Sequence, residues 1–273
     1  MYGVLLVLSN ALFFFSIFWS SFIGFWLCLE LAMLLLIPCF FYEFNNNNVY
    51  LSLLNYLIIA SISSFFLVSG LLNNLNEVFI LIAFIIKVGL FPFYSWFIYL
   101  INNLNWLMVF NIAVVSKITF FYFLNYQFNS TSYFNFVAIL NFFILLFFII
   151  CLVFDFKSFY AISSISSSLV LLFFLFNNAS FNLYVLYFIY IIVGTLVLFS
   201  FYWIENNGLN IFSICLVIGV PFSFYIFYKG ISIIFLVPFN NYIFIFFWVC
   251  YSILEQIVLF NMLLENAYLK ISV

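Results

Sequence analysis

Residues 134–154, FNFVAILNFFILLFFIICLVF, run without a charged side chain and are apolar on every side. A stretch of 18 or more such residues is long enough to cross roughly 30 Å of hydrocarbon as a helix. Runs of this kind recur from end to end, and no other feature constrains the fold as strongly. A transmembrane β-barrel would instead show short alternating segments with a polar inner face. Of the 273 residues, 70% are hydrophobic and 4% charged, with a mean hydropathy of +1.38. A soluble domain carries about 25% charged residues, so this chain cannot cover a surface in water. The expected fold is all-α, a polytopic transmembrane helical bundle.

Polar punctuation divides the chain into about ten spans. They fall near 2–20, 22–42, 49–72, 78–100, 108–125, 134–154, 160–176, 183–203, 209–238 and 241–264. The connectors are short and asparagine-rich, as in NNNN at 45–48. None is long enough to fold separately, so residues 1–273 read as a single transmembrane domain. The first span has no basic leader and no small-residue cleavage site, and reads as a retained helix.

Two spans differ from the rest. Span 78–100 contains Gly89 and Pro92, and span 209–238 contains Gly219 and Pro221. Proline removes an intrahelical hydrogen bond and clashes with the preceding turn. In lipid the freed carbonyls must be satisfied by neighbouring helices, side chains or water. One kink alone carries little weight, because Pro and Gly are common in membrane helices. Two broken helices, each with a lysine, are the arrangement from which transporters build ion sites.

With so few charges, each can be placed. Glu43, Glu77, Asp155, Lys157, Glu205, Glu265 and Lys270 fall at span ends, where they reach water. Glu30, Lys87, Lys117 and Lys229 lie well inside spans, and Glu255 lies in the latter half of the last one. A charge at the centre of a membrane helix costs on the order of 2.5–3.5 kcal/mol on insertion scales. Embedded lysines and a carboxylate also suit proton transfer, since burial and pairing shift their proton affinities in opposite directions. The competing reading is a set of ion pairs that only fix packing. For Glu255 the readings are pairing or snorkelling to a helix end.

Other chemistries are disfavoured. There is no arginine or histidine and the net charge is −2, which leaves no basic patch for nucleic acid. The five cysteines stand at apolar positions without CxxC spacing and read as small hydrophobes rather than metal or cluster ligands. No redox centre or metal site is expected. An even number of spans puts both termini on one side, together with Lys157 and Lys270. The positive-inside tendency assigns that side to the matrix or cytoplasm.

The embedded charges before residue 230 lie in recognisable segments. KVGLFPFYSW (87–96) resembles the K-x-G-x-x-P-F-H-x-W motif of the subunit 2 family of mitochondrial NADH dehydrogenase, antiporter-like subunits of respiratory complex I. Tyr94 stands where that family usually has histidine. FWLCLEL (25–31) resembles the W-x-G-L-E segment, with its glutamate at Glu30. NIAVVSKITFFY (111–122) is similar to the next helix, with its lysine at Lys117. FKSFYAISSIS (156–166) resembles R-K-x-x-A-Y-S-S-I, with Lys157 for arginine and Ser158 for lysine. GVPFSFYIFYKG (219–230) resembles G-L-P-P-L-x-G-F-x-P-K-W, with its lysine at Lys229. The segments occur in register. Departures are the lost prolines after Trp96 and Tyr228, the missing histidines and a shorter C-terminal part.

The resemblance implies an antiporter-like fold and a membrane-arm subunit of proton-pumping NADH:ubiquinone oxidoreductase in the mitochondrial inner membrane. Glu30 and Lys87 would be a switching pair, Lys117 the central carrier, and Lys229 an exit or inter-subunit relay. Tyr94, Ser163 and Ser164 would line water between them. NADH, FMN, iron–sulfur clusters and ubiquinone would belong to the complex, not to this chain. Its partners would be membrane lipids and the other membrane-arm subunits, neighbouring antiporter-like ones included. Two alternatives stay open: a stand-alone cation/proton antiporter, and a degenerate structural scaffold of the complex.

Overall fold

The computed structural model describes residues 2–19, 21–41, 47–72, 77–117, 133–151, 153, 155–177, 180–207 and 224–271. Among the described residues every regular element is helical and there is no strand. Among the described residues, five helices are long and apolar enough to cross a membrane: Ile23–Phe40, Asn48–Gly70, Phe156–Phe176, Tyr184–Asn206 and Tyr242–Glu265. Shorter apolar helices accompany them. The fold is the all-helical membrane bundle expected from the sequence. The chain divides into two compact units, residues 1–128 and 129–273.

The first unit contains α1 (Tyr2–Ser16), α2 (Phe22–Phe40), α3 (Asn47–Leu72), α4 (Glu77–Val88), α5 (Tyr94–Asn103) and α6 (Trp106–Phe110). Helix α6 runs on into a π-helical turn, Asn111–Val115. Helix α1 packs on α2, and α3 packs on α4 and α5. Many outward residues are apolar, such as Val7, Ile23 and Phe65. That is the surface a lipid-facing helix needs.

Span 78–100 is two helices, α4 and α5, and the sequence between them explains how. Gly89 has φ +76°, a left-handed conformation that favours glycine. Its N–H donates to the Ile86 carbonyl at 3.2 Å, and the Leu90 N–H reaches back to the Ile85 carbonyl at 3.0 Å. These two bonds form a Schellman cap, which satisfies carbonyls that the end of a helix leaves open. The Trp96 indole N–H adds a second bond to the Ile86 carbonyl, at 3.1 Å. Glycine, lysine and tryptophan of the 87–96 segment thus serve one helix end.

The second unit contains α7 (Tyr133–Cys151), α8 (Phe156–Phe176), α9 (Ser180–Asn207), α10 (Phe224–Leu236), a 3-10 turn (Val237–Phe239) and α11 (Tyr242–Ile271). Helix α8 is its centre, buried from Ser158 to Phe176 and packed against α7, α9 and α11. A helix buried on all sides with six serines, Ser158 among them, needs those hydroxyls satisfied. Ser163, Ser164, Ser166, Ser167 and Ser168 each donate to the carbonyl three residues earlier. Aromatic stacking closes the unit on another side, with the Phe173 and Phe244 rings 4.0 Å apart.

Some boundaries differ from the sequence-based spans. Helix α8 begins at Phe156 rather than 160 because Asp155 and Ser158 cap it. The Asp155 N–H donates to the Ser158 hydroxyl at 3.1 Å, and that hydroxyl donates to the Asp155 carbonyl at 2.7 Å. Helix α1 stops at Ser16, whereas α11 continues to Ile271. Gly219 and Pro221, the expected second break, lie outside the described residues.

A Cβ added at Gly89 would stand 2.6 Å from the Cβ of Phe97, in addition to the cost of positive φ. Gly89→Ala is therefore expected to destabilise the unit by about 1–3 kcal/mol. The measurement is the thermal unfolding midpoint in a fixed detergent, which should fall.

Candidate functional site

Three of the four embedded charges expected to act lie in the first unit. Lys87 occupies the last turn of α4, where the carbonyl end of the helix favours a cation. It is half-buried, as is Glu30 on α2. The Glu30 carboxylate acts electrostatically on Lys87 and on the Tyr56 hydroxyl of α3. Glu30 and Lys87 therefore sit in one another's field, two helices apart in sequence. Tyr94 opens α5 and is buried.

Lys117 is more deeply placed, with 3% of its surface exposed. Its ammonium lies 4.6 Å from the centre of the Phe97 ring. An aromatic face attracts a cation, more strongly where water is excluded. Phe97 is also the residue against which Gly89 closes, so one ring links the helix break to Lys117. The π-helical turn just before Lys117 is a local widening often found at functional sites. Within it the Asn111 side-chain N–H donates to the Leu107 carbonyl at 3.1 Å.

The second unit holds a feature that sequence reasoning left unresolved. The Lys229 ammonium on α10 and the Glu255 carboxylate on α11 form an ion pair, with Nζ and Oε2 2.5 Å apart. Their side chains are 7% and 0% exposed. Of the two readings of Glu255, pairing is what the structure shows. The Tyr251 ring lies 5.9 Å from the same ammonium. Ser232, one turn after Lys229, donates to the Lys229 carbonyl at 2.7 Å. The Trp248 indole N–H donates to the Ser232 hydroxyl at 2.9 Å, which ties α10 to α11 beside the pair.

A signal for Glu255 was present in the chain. Trp248, Tyr251 and Glu255 follow at i, i+3 and i+7, so they share one helix face. That face carries the indole, the ring and the carboxylate that meet α10. Without a partner helix in view, nothing in the sequence said which lysine they would meet.

Lys229 also borders a cavity lined by Ser163, Ser164, Ser167, Tyr190 and Tyr228, among others. It offers about 30 Å³ to the centres of water molecules, against the roughly 10–15 Å³ that one water needs. Ser163 and Ser164, expected from the sequence to line water, are thus on its wall. Ser167 lies within hydrogen-bonding reach of the Tyr190 hydroxyl. The Tyr228 hydroxyl is buried without a hydrogen-bond partner among the described residues. By contrast, the span-end charges Asp155, Glu205 and Glu265 are exposed.

No protein-family model matches the chain. A curated protein, NADH-ubiquinone oxidoreductase chain 2 of Artemia franciscana, is 29% identical over 98 residues. The matched stretch covers 36% of this chain and 31% of the length of that relative. The chain is thus similar over about a third of its length to a subunit of a respiratory enzyme.

Removing one member of a buried ion pair strands the other, which typically costs about 3–5 kcal/mol. Glu255→Leu is expected to lower stability by that order. Chemical or thermal unfolding in detergent checks it, against Glu265→Leu at an exposed position as a control within about 0.5 kcal/mol of the parent.

Proposed function

We propose that the chain is a membrane-arm subunit of a proton-translocating NADH:ubiquinone oxidoreductase, in the mitochondrial inner membrane with its termini on the matrix side. The observation that carries this reading is the similarity to chain 2 of that enzyme, in a chain that keeps lysines and carboxylates inside apolar helices. The chain contributes a proton route and leaves hydride and electron transfer to other subunits. NADH, flavin, iron–sulfur clusters and quinone are bound elsewhere in the assembly. Its neighbours are other antiporter-like subunits and lipid.

In this route Glu30 and Lys87 act as a switching pair. The field of the Glu30 carboxylate favours the charged form of Lys87, the carbonyl end of α4 adds to it, and a change in the charge on Glu30 changes that support. The Gly89 cap ends α4 just after the lysine. Lys117 acts as the central carrier, over a ring that stabilises its charged form without itself titrating. Lys229 acts as an exit or inter-subunit relay.

Lys117→Met keeps the length of the side chain and removes the proton site. The expected outcome is an assembled complex that translocates fewer protons per NADH oxidised, measured by acidification of inner-membrane vesicles alongside NADH consumption. An unchanged ratio would show that Lys117 carries no protons. On a native gel the chain should migrate with NADH-oxidising activity in a very large assembly. Migration alone, with cation/proton exchange by the purified chain, would identify a stand-alone antiporter instead.

A further inference from the structure

We infer that Glu255 is a second proton-carrying carboxylate of the route and that, with Lys229, it forms a two-member relay whose lysine end opens into a water-holding cavity. The inference rests on the proposed proton-translocating function and adds to it a residue, a partner and a wet compartment.

The geometry carries it in three steps. First, the two groups are in direct contact at 2.5 Å, close enough for a proton to pass between them without an intervening water. Second, the pair is asymmetric. Glu255 is completely buried, whereas Lys229 is among the residues that line the cavity. Third, hydroxyls stand on the cavity wall among a largely apolar lining. The Ser163 hydroxyl spends its own proton on the Tyr160 carbonyl, which leaves an oxygen lone pair to accept from water. The Tyr228 hydroxyl, in a residue 4% exposed, has no partner among the described residues and supplies a donor. Water takes two to four such polar partners at a buried site.

The relay balances as follows. At rest, Lys229 is an ammonium and Glu255 a carboxylate, and the pair is neutral. A proton arriving on Glu255 makes a neutral acid and frees the ammonium from its counter-charge. Lys229 then gives a proton to water in the cavity and becomes an amine. The proton on Glu255 passes to that amine, and the ion pair re-forms. One proton has entered through the carboxylate and one has left through the lysine. The reverse sequence runs by the same states, so the relay works in either direction.

A packing role makes a different prediction, because replacing both members of a buried ion pair with apolar side chains is often neutral or stabilising. The test is the double variant Lys229→Met/Glu255→Met in the assembled complex, with protons translocated per NADH measured in vesicles. The expected result is a ratio lowered as in Lys117→Met. A parental ratio in the double variant, with a lowered one in Lys117→Met, overturns the relay alone. Parental ratios in both overturn the proton route on which it rests. Infrared difference spectra during turnover provide a second readout that does not depend on the double variant assembling. The parent should show a transient carboxylic-acid band that shifts in Glu255→Asp. Absence of any band that responds to this substitution overturns the relay.

Discussion

An ion inside a membrane has no water to stabilise it, so the protein must supply the counter-field or the ion loses its charge. This constraint accounts for the surroundings of each embedded lysine. Lys87 is met by the carbonyl end of α4 and by the Glu30 carboxylate. Lys117 is met by the face of Phe97. Lys229 is met by Glu255 in direct contact. These three solutions differ in kind: a helix dipole with the field of a carboxylate, a ring quadrupole, and an opposite charge in direct contact. A lysine held by a partner that can itself take up a proton is adjustable through that partner.

The same lack of water governs the backbone. The break between α4 and α5 exposes carbonyls, and the Gly89 cap and the Trp96 indole answer them. The serine run of α8 is the side-chain counterpart. Its hydroxyls fold back on their own helix, and this lets a polar sequence sit at the centre of an apolar unit. Some of the same serines line the cavity beside Lys229, so the groups that make the helix tolerable inside the unit also form part of the cavity wall.

The two sites show how far residue types lead without a structure. Glu30, Lys87, Lys117 and Lys229 stand out because a charge in an apolar run is costly wherever it lies. The break at Gly89 is legible because glycine and proline within four residues leave few backbone options. Glu255 was visible as a charge, but its meaning was not, since pairing and snorkelling give the same local pattern. The roles of Trp96 and Phe97 were also hidden. Both act on residues a turn or more away across a break, where no helical periodicity applies.

The sequence by itself determined the medium, the helical class and the inventory of embedded charges. Each of these follows from a property of single residues or short runs: transfer from water, backbone freedom, and side-chain charge. Only the tertiary structure decided the company those charges keep. It set Phe97 beneath Lys117, Glu255 against Lys229, and the hydroxyls of α8 and α9 around a space for water. Contacts of this kind depend on how helices rotate about their axes and cross, and a nearly uniform apolar surface leaves no periodic stripe from which to read that rotation.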